Sequence, residues 1–245
     1  MQDRSSTQIV HSCFLIMAAC IGNLLEWYDF AVYALFSPYI AQVIFPASSQ
    51  KIQLVQSLLV FGIGTVARPA GALLIGIYAD RRGRGAALFL TCLLMGLGTA
   101  LIFCDPPYRI AGSISVAILV AARFLQGISA GGEIGGAVSY LAEQVPPSIK
   151  GLSASFLQGT MGLSNMLGAA IAASLTLLLS NQQIVQWGWR IPFAIGLAII
   201  PVGLLLRHYI PSRPNDGGGI LNSTNIIKEL FINNRASLCS AMGIS

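Results

Sequence analysis

Residues 54–104 read LVQSLLVFGIGTVARPAGALLIGIYADRRGRGAALFLTCLLMGLGTALIFC, two long apolar runs joined by a short basic turn. Each run is long enough for an α-helix to cross the hydrocarbon core of a bilayer, which takes roughly 20 apolar residues. The turn between the runs leaves no room for an inserted soluble domain. This stretch therefore predicts two membrane helices that are connected directly at one face of the membrane.

The same pattern continues on both sides and predicts six membrane helices. We expect them at residues 13–44, 54–78, 86–103, 113–141, 152–179 and 191–209, separated by short turn-like breaks. The chain is then expected to divide into a cytoplasmic N-terminus, a six-helix transmembrane bundle, a cytoplasmic central linker and the truncated start of a seventh helix. The corresponding ranges are 1–12, 13–210, 211–235 and 236–245. The predicted fold class is therefore an all-α, polytopic membrane protein.

The composition supports a lipid environment. Of 245 residues, 55% are hydrophobic and 9% are charged, whereas soluble domains carry about 25% charged residues. The net charge of +5 comes from basic residues at the ends of apolar runs, which argues against nucleic acid as a partner because nucleic-acid binding clusters them on one face. The five cysteines show no metal-binding spacing, so neither a metal nor a cofactor is expected, and the predicted partners are membrane lipid and a small-molecule solute.

The distribution of Lys and Arg predicts the orientation in the membrane. With the N-terminus inside, the inner loops carry seven basic residues and the outer loops carry three, namely Lys51, Arg109 and Arg190. Cytoplasmic loops are the ones enriched in Lys and Arg. The N-terminus is therefore expected in the cytoplasm of a cell whose inner membrane holds the protein, with Trp187, Trp189 and Phe193 at the outer interface.

Ionisable residues inside the predicted helices are the strongest functional candidates. Placing one at the centre of a membrane helix costs roughly 2.5–3.5 kcal/mol, and the candidates are Glu26, Asp29, Arg68, Arg123 and Glu133. Glu26 and Asp29 lie three residues apart on one helix face, where simultaneous ionisation is unfavourable. They form a candidate proton site with Arg123 as the counter-charge. The alternative is a static buried ion pair that fixes helix packing.

Two sequence motifs resemble a known superfamily of transporters. Residues 76–85, GIYADRRGRG, are similar to the signature G-x-x-x-D-R-x-G-R-R of the major facilitator superfamily, with Gly85 in place of the last basic residue. Arg123–Gly127 resembles the second signature, R-x-x-Q-G. The strings GNLLEWYDFAVY (22–33), LQGISAGGEIGGA (125–137) and WGWRIPFAIG (187–196) resemble the metabolite–proton symporters, which include transporters for proline and betaine, 2-oxoglutarate, citrate and shikimate.

The resemblance implies a fold and a set of site residues. The implied fold has twelve helices in two halves of six, each half an inverted repeat of three helices, and this chain resembles the N-terminal half. In related sugar–proton symporters, residues that match Asp29 and Arg123 form the coupling pair. The resemblance also assigns a cytoplasmic gating loop with Gly76, Asp80, Arg81, Gly83 and Arg84. The candidates for the substrate cavity are Tyr28, Arg68, Gln126, Glu133 and Asn165.

The predicted function is secondary active transport by alternating access, with a proton as the coupling ion. The solute is expected to be a small organic acid or a zwitterion. A chain of this length supplies one wall of the cavity, so we expect a truncated or split form that needs a second six-helix half, from a separate chain or a homodimer. The alternative is a transport-inactive scaffold or the remnant of a transporter gene. No catalytic motif such as GxSxG or HExxH is present, so no enzyme and no catalytic residue is predicted.

Overall fold

The computed structural model describes the backbone of residues 2–46, 49–144 and 150–201, and over these ranges the chain is helical with no strand. Five helices are long: α1 (Gln2–Ile44), α2 (Gln50–Arg82), α3 (Arg84–Cys104), α5 (Ser113–Gln144) and α6 (Lys150–Leu178). The short elements are α4 (Tyr108–Ala111), α7 (Asn181–Gln186), a 3₁₀ turn (Gly188–Arg190) and α8 (Ile191–Gly196). The predicted all-α fold class is confirmed.

Four of the six predicted spans coincide with helices of membrane-crossing length and apolarity, and the first predicted span is not among them. Within the described ranges, four segments are long and apolar enough to cross a membrane: 50–82, 85–104, 113–133 and 150–178. Helix α1 begins at Gln2 rather than near residue 13, because neither Pro nor Gly interrupts the sequence before Gly22. The predicted sixth helix begins at Ile191 as expected. Its end, the linker and the start of a seventh helix lie outside the described residues.

Helix α5 lies at the centre of the bundle. It packs along α2 on one side and along α3 on the other, while α1 packs mainly against α6 and α2, and α8 contacts α1 and α3. A buried cluster that includes Tyr33, Phe36, Trp189 and Phe193 fills the space between these helices. Large apolar side chains such as Val66 and Leu177 remain exposed on the outside, as expected for a surface that faces lipid. This arrangement brings the middle of α1, α3 and α5 together.

The α2–α5 contact is a contact between two backbones. A Cβ atom placed on Gly127 would overlap the carbonyl oxygen of Gly64, and one on Gly131 would overlap the carbonyl oxygen of Arg68. Such close approach is typical of membrane helices, where packing rather than the hydrophobic effect holds helices together. The small-residue spacing at Gly127 and Gly131 thus sets the separation of α2 and α5. By contrast, a Cβ on Gly162 of α6 would meet no described atom within 4 Å.

The turn that was predicted as a gating loop joins α2 to α3. Gly83 ends α2 with φ of 90°, and its N–H donates to the carbonyl oxygen of Ala79 at 2.8 Å. A positive φ of this kind favours glycine. Asp80 and Arg81 are exposed beside it. A Cβ atom on Gly76, near the end of α2, would meet no described atom within 4 Å.

At the end of the bundle opposite the α2–α3 turn, Arg190 forms hydrogen bonds to the chain at the end of α3. Its guanidinium donates from Nε to the carbonyl oxygen of Phe103 at 3.1 Å and from Nη2 to that of Asp105 at 2.6 Å. The Asp105 carboxyl group is buried, and this burial raises its pKa to about 7, because the Ser115 hydroxyl and the Arg190 guanidinium offset the effect only partly. Asp105 is therefore a titratable group near neutral pH at this end.

The aromatic residues near Arg190 depart from the prediction. Trp189 and Phe193 are fully buried and contact each other edge to face, and only Trp187, which is 47% exposed, lies at the surface. The 3₁₀ turn at Gly188–Arg190 rotates the chain so that these two rings point into the core. Of these three residues, only Trp187 has the surface exposure that the predicted interfacial position requires.

Replacing Gly131 with Ala should destabilise the bundle. The added methyl group forces α2 and α5 apart, and overpacking of this kind costs about 1–3 kcal/mol. Gly162→Ala is the matched control, since its methyl group meets open space and Ala is favoured over Gly within a helix. Thermal unfolding in detergent should therefore show a lower midpoint for Gly131→Ala only. Equal midpoints for the two variants would contradict the α2–α5 backbone contact.

The stability of the protein should fall as the pH rises from about 4 to about 7. The pKa of Asp105 is about 7 in the folded chain and about 3.9 in an unfolded one, so the folded state binds the extra proton in this window. Asp105→Asn should remove this part of the pH dependence, whereas Asp80→Asn, at an exposed carboxylate, should retain it. Thermal unfolding across this pH range measures both, and an unchanged slope in Asp105→Asn would contradict the assignment.

Candidate functional site

The buried carboxylate of Asp29 lies where α1, α3 and α5 meet. Its side chain is 1% exposed. Oδ1 accepts a hydrogen bond from Thr99 Oγ1 at 3.0 Å, and Oδ2 accepts one from Gln126 Nε2. Arg123 Nη1 stands 3.7 Å from Oδ2. The predicted pair of Asp29 and Arg123 is therefore present in the structure, with two neutral donors on the same carboxylate.

Gln126 connects the two charges. Its side-chain oxygen accepts a hydrogen bond from Arg123 Nη1, and its nitrogen donates to Asp29 and lies 3.1 Å from Thr99 Oγ1. Arg123 and Gln126 are three residues apart on α5 and therefore share one face of the helix. Gln126, predicted as a residue of the substrate cavity, is placed by the structure inside the ion-pair network.

Arg123 is enclosed by aromatic rings. Its guanidinium carbon lies 4.3–5.0 Å from the ring centres of Phe30, Tyr33 and Phe61, and the side chain is fully buried. A cation above an aromatic face is stabilised by the ring quadrupole, more strongly where water is excluded. Nε and Nη2 of Arg123 have no hydrogen-bond partner in the described part of the chain. The rings and Asp29 therefore hold a charge that is only partly hydrogen-bonded.

Several residues of this site were not predicted. Thr99 donates to Asp29, and a Cβ atom on Gly196 of α8 would lie 3.3 Å from Asp29 Oδ1. The ring contacts of Phe30 and Tyr33 were also missed, although their spacing of three residues on α1 is a signal that the sequence carries. Thr99 and Gly196 have no comparable signal, because a single Thr or Gly in an apolar helix is common.

Glu26 lies in a second group of polar residues. It is fully buried, and its carboxyl group is within hydrogen-bonding range of that of Glu133, which is 3% exposed. The prediction joined Glu26 to Asp29, three residues away. The structure places the two carboxyl groups of α1 with different partners on α5.

The remaining candidates for the substrate cavity are dispersed. Arg68 is half-buried on α2, with its guanidinium carbon 5.2 Å from the ring centre of Trp27 and 4.4 Å from that of Phe30. The hydroxyl group of Tyr28 donates to the carbonyl oxygen of Pro192 at 3.0 Å. Asn165 is exposed on α6. Of these candidates, Arg68 lies near the buried Glu26 and Tyr28 lies near the buried Asp29.

The chemistry that these residues can perform is acid–base and electrostatic. In the ranges that the structure describes, no group of three or more His, Cys, Asp or Glu side chains could hold a metal ion. The Asp29 carboxylate lies next to the Arg123 guanidinium where α1, α3 and α5 meet. A carboxylate in this position can bind and release a proton. Protonation cancels the attraction between Asp29 and Arg123 and leaves Arg123 without a counter-ion, so it changes the energy of the helix arrangement.

The sequence matches known transporters over most of its length. The profile of the sugar (and other) transporter family covers residues 15–215. The chain is 41% identical over 193 residues to the citrate-proton symporter of Salmonella typhi, which is 79% of this chain and 44% of that protein. It is 36% identical over 221 residues to the alpha-ketoglutarate permease of Escherichia coli, and the match covers 90% of this chain and 51% of that protein. With the proline/betaine transporter of Salmonella typhimurium it shares 31% identity over 241 residues, and the match covers 94% of this chain and 48% of that protein.

The fold matches solved structures of the xylose transporter XylE from Escherichia coli. The partially occluded, inward open conformation aligns with a TM-score of 0.74 at 20% sequence identity, over 83% of this chain and 49% of XylE. The chain thus spans about half the length of the relatives that it matches. The family profile over residues 15–215 and the shared fold agree with the two signature motifs. This chain belongs to the sugar (and other) transporter family of the major facilitator superfamily.

Proposed function

We propose that the chain forms one half of a secondary active transporter that couples proton entry to the movement of a small carboxylate-bearing solute. The observation that carries this proposal is the buried network of Asp29, Thr99, Gln126 and Arg123. It joins three helices through one ionisable carboxylate. A static role in packing needs no ionised pair, since apolar residues of similar volume serve packing equally well or better.

Proton binding at Asp29 is the step that would drive the conformational change. The ionised carboxylate accepts hydrogen bonds from Thr99 and Gln126 and attracts Arg123. Once protonated, Asp29 no longer attracts the guanidinium, which keeps only its aromatic neighbours and the Gln126 oxygen. A ligand shifts a conformational equilibrium by its difference in affinity for the two states. The proton has such a difference here, because only the ionised form holds α1 to α5 by charge.

The solute class follows from the relatives and from Arg68. The names of the three relatives specify citrate, alpha-ketoglutarate and proline or betaine, and each of these solutes carries a carboxylate. Arg68 has a buried Nε with no described hydrogen-bond partner, and the indole Nε1 of Trp27 beside it is also unpaired. Two orphaned donors at one position suit a carboxylate, which accepts several hydrogen bonds.

A second six-helix half completes the proposed cavity. Substrate sites in transporters of this kind lie near the bilayer midplane between structural repeats, and this chain covers about half of its relatives. The second half would be supplied by another part of the transporter, and the N-terminus would lie in the cytoplasm of a bacterial cell. The competing function is a membrane scaffold or remnant that keeps the fold without transport, and reconstitution separates the two.

Transport should require both a second half and Asp29. The chain is reconstituted in liposomes alone and together with the part of the Escherichia coli alpha-ketoglutarate permease that it does not cover. A pH gradient should drive accumulation of labelled alpha-ketoglutarate, citrate or betaine in the combined vesicles. Asp29→Asn should reduce accumulation to the level of empty vesicles, because it carries no titratable group, while solute exchange at equal concentrations continues.

Asp105→Asn is the matched control, since it removes a buried carboxylate outside the network. It should leave pH-driven accumulation intact. Accumulation by Asp29→Asn at the unmodified rate would contradict proton coupling at Asp29. Failure of all combined vesicles, together with failure of the chain alone, would favour the scaffold.

Arg68→Gln should weaken solute binding. The loss of a hydrogen bond to a charged group costs about 1.5–3 kcal/mol, which corresponds to about a tenfold or larger rise in the KM for exchange. Arg109→Gln, at an exposed arginine, should leave the KM unchanged. Exchange of the labelled solute in the combined vesicles measures both variants. An unchanged KM in Arg68→Gln would remove this arginine from the solute site.

A further inference from the structure

Two buried glutamates from different helices meet beside the Asp29 network. Glu133 of α5 reaches α1 one turn before Glu26, and its Oε1 would lie 3.3 Å from a Cβ atom on Gly22. Both carboxyl groups are almost fully buried and lie within hydrogen-bonding range of each other. Gly22 has no side chain, and this absence gives the Glu133 carboxyl group its space against α1.

The hydrogen bonding of this pair is incomplete while both groups are ionised. A carboxylate accepts hydrogen bonds but has no hydrogen to donate. Accordingly, both oxygens of Glu26 and Oε2 of Glu133 have no described hydrogen-bond partner. Buried polar atoms without partners are rare in folded proteins, and each one needs an explanation, such as strain, a chemical role or a bound water or ion. One added proton satisfies the pair, because it lets one glutamate donate an O–H···O bond to the other.

We propose that Glu26 and Glu133 form a second proton-binding site, which holds one proton between the two carboxyl groups and thereby joins α1 to α5. The proton is bound as the hydrogen of an O–H group on one glutamate, and the other glutamate keeps the single negative charge. Loss of the proton leaves two carboxylates in contact inside the bundle. Their repulsion in a medium of low dielectric opposes the contact of α1 with α5.

The charged and titratable neighbours fit a site with one net negative charge. Arg68 faces Glu26 from α2, and Asp29 lies one turn further along α1. Cys92 approaches from α3 and lies near both glutamates. The described side chains of α6 include one charge, Lys150, which is exposed at the first residue of that helix. A singly charged pair is balanced by Arg68, just as Asp29 is balanced by Arg123.

The second site differs from the first in how a proton changes it. At Asp29 the proton removes the attraction to Arg123, which loosens α1 from α5. At Glu26 and Glu133 the proton creates a hydrogen bond, which fastens α1 to α5. Any part that this pair takes in transport rests on the proposed function, whereas proton binding at equilibrium does not depend on it.

Thermal unfolding of the purified chain in detergent tests this site without any transport assay. All variants carry Asp105→Asn, so that Asp105 does not contribute to the pH dependence. The midpoint of the parent should fall as the pH rises and the shared proton leaves. Glu133→Gln should lose this fall, because the amide donates a hydrogen to Glu26 at every pH. Asp29→Asn is the matched control and should keep the fall.

The infrared band of protonated carboxyl groups provides a second readout that needs no glutamate variant to fold. In the Asp29→Asn, Asp105→Asn protein this band should persist above about pH 5, where exposed carboxyl groups are ionised, and disappear at higher pH as the midpoint falls. Where Glu26→Gln or Glu133→Gln folds, the band should be lost. Absence of the band, or its persistence in both glutamine variants, would overturn the proposal. A rise of the midpoint at high pH with sodium chloride but not with choline chloride would identify a sodium site and would also overturn it.

Discussion

The structure depends on keeping one positive charge, that of Arg123, inside a bundle surrounded by lipid. Removing a guanidinium from water is unfavourable unless opposite charge, hydrogen-bond acceptors or aromatic faces replace the lost hydration. Asp29 supplies the charge, Gln126 the acceptor, and Phe30 and Phe61 two of the aromatic faces. These groups come from α1, α2 and α5, so the requirements of one side chain fix how three helices are arranged.

The close contact of α2 with α5 makes this arrangement possible. Gly127 and Gly131 let the backbone of α2 approach until carbonyl oxygens of Gly64 and Arg68 touch α5. This approach brings the ring of Phe61 on α2 to the guanidinium of Arg123 on α5. It also places Arg68 near the carboxyl group of Glu26 on α1. The small residues therefore influence the charged site by setting the separation of α2 and α5, and they contribute no polar atom to the site.

Helix α1 carries two carboxyl groups that have opposite relationships to α5. Asp29 faces an arginine and two neutral donors, and is satisfied when it is ionised. Glu26 faces Glu133, and the pair is satisfied when it holds a proton. A spacing of three residues turns the second side chain by about 60° from the first and advances it by about 4.5 Å. That offset is enough to give the two groups different partners on the same helix.

Residue types and their spacing were enough to predict the membrane helices, the family and the pairing of Asp29 with Arg123. Apolar length, signature turns and the high cost of buried charge leave few alternatives, because each depends on local residue type. The packing of the helices established three further features: Glu26 meets Glu133, Gln126 bridges the ion pair, and Thr99 and Gly196 border Asp29. It also placed Trp189 and Phe193 in the core, although aromatic residues at a helix end suggest the interface. These contacts join residues about 70 to 170 positions apart. Their geometry depends on the rotation and separation of whole helices, which backbone contacts such as Gly131 against Arg68 set and no local pattern specifies.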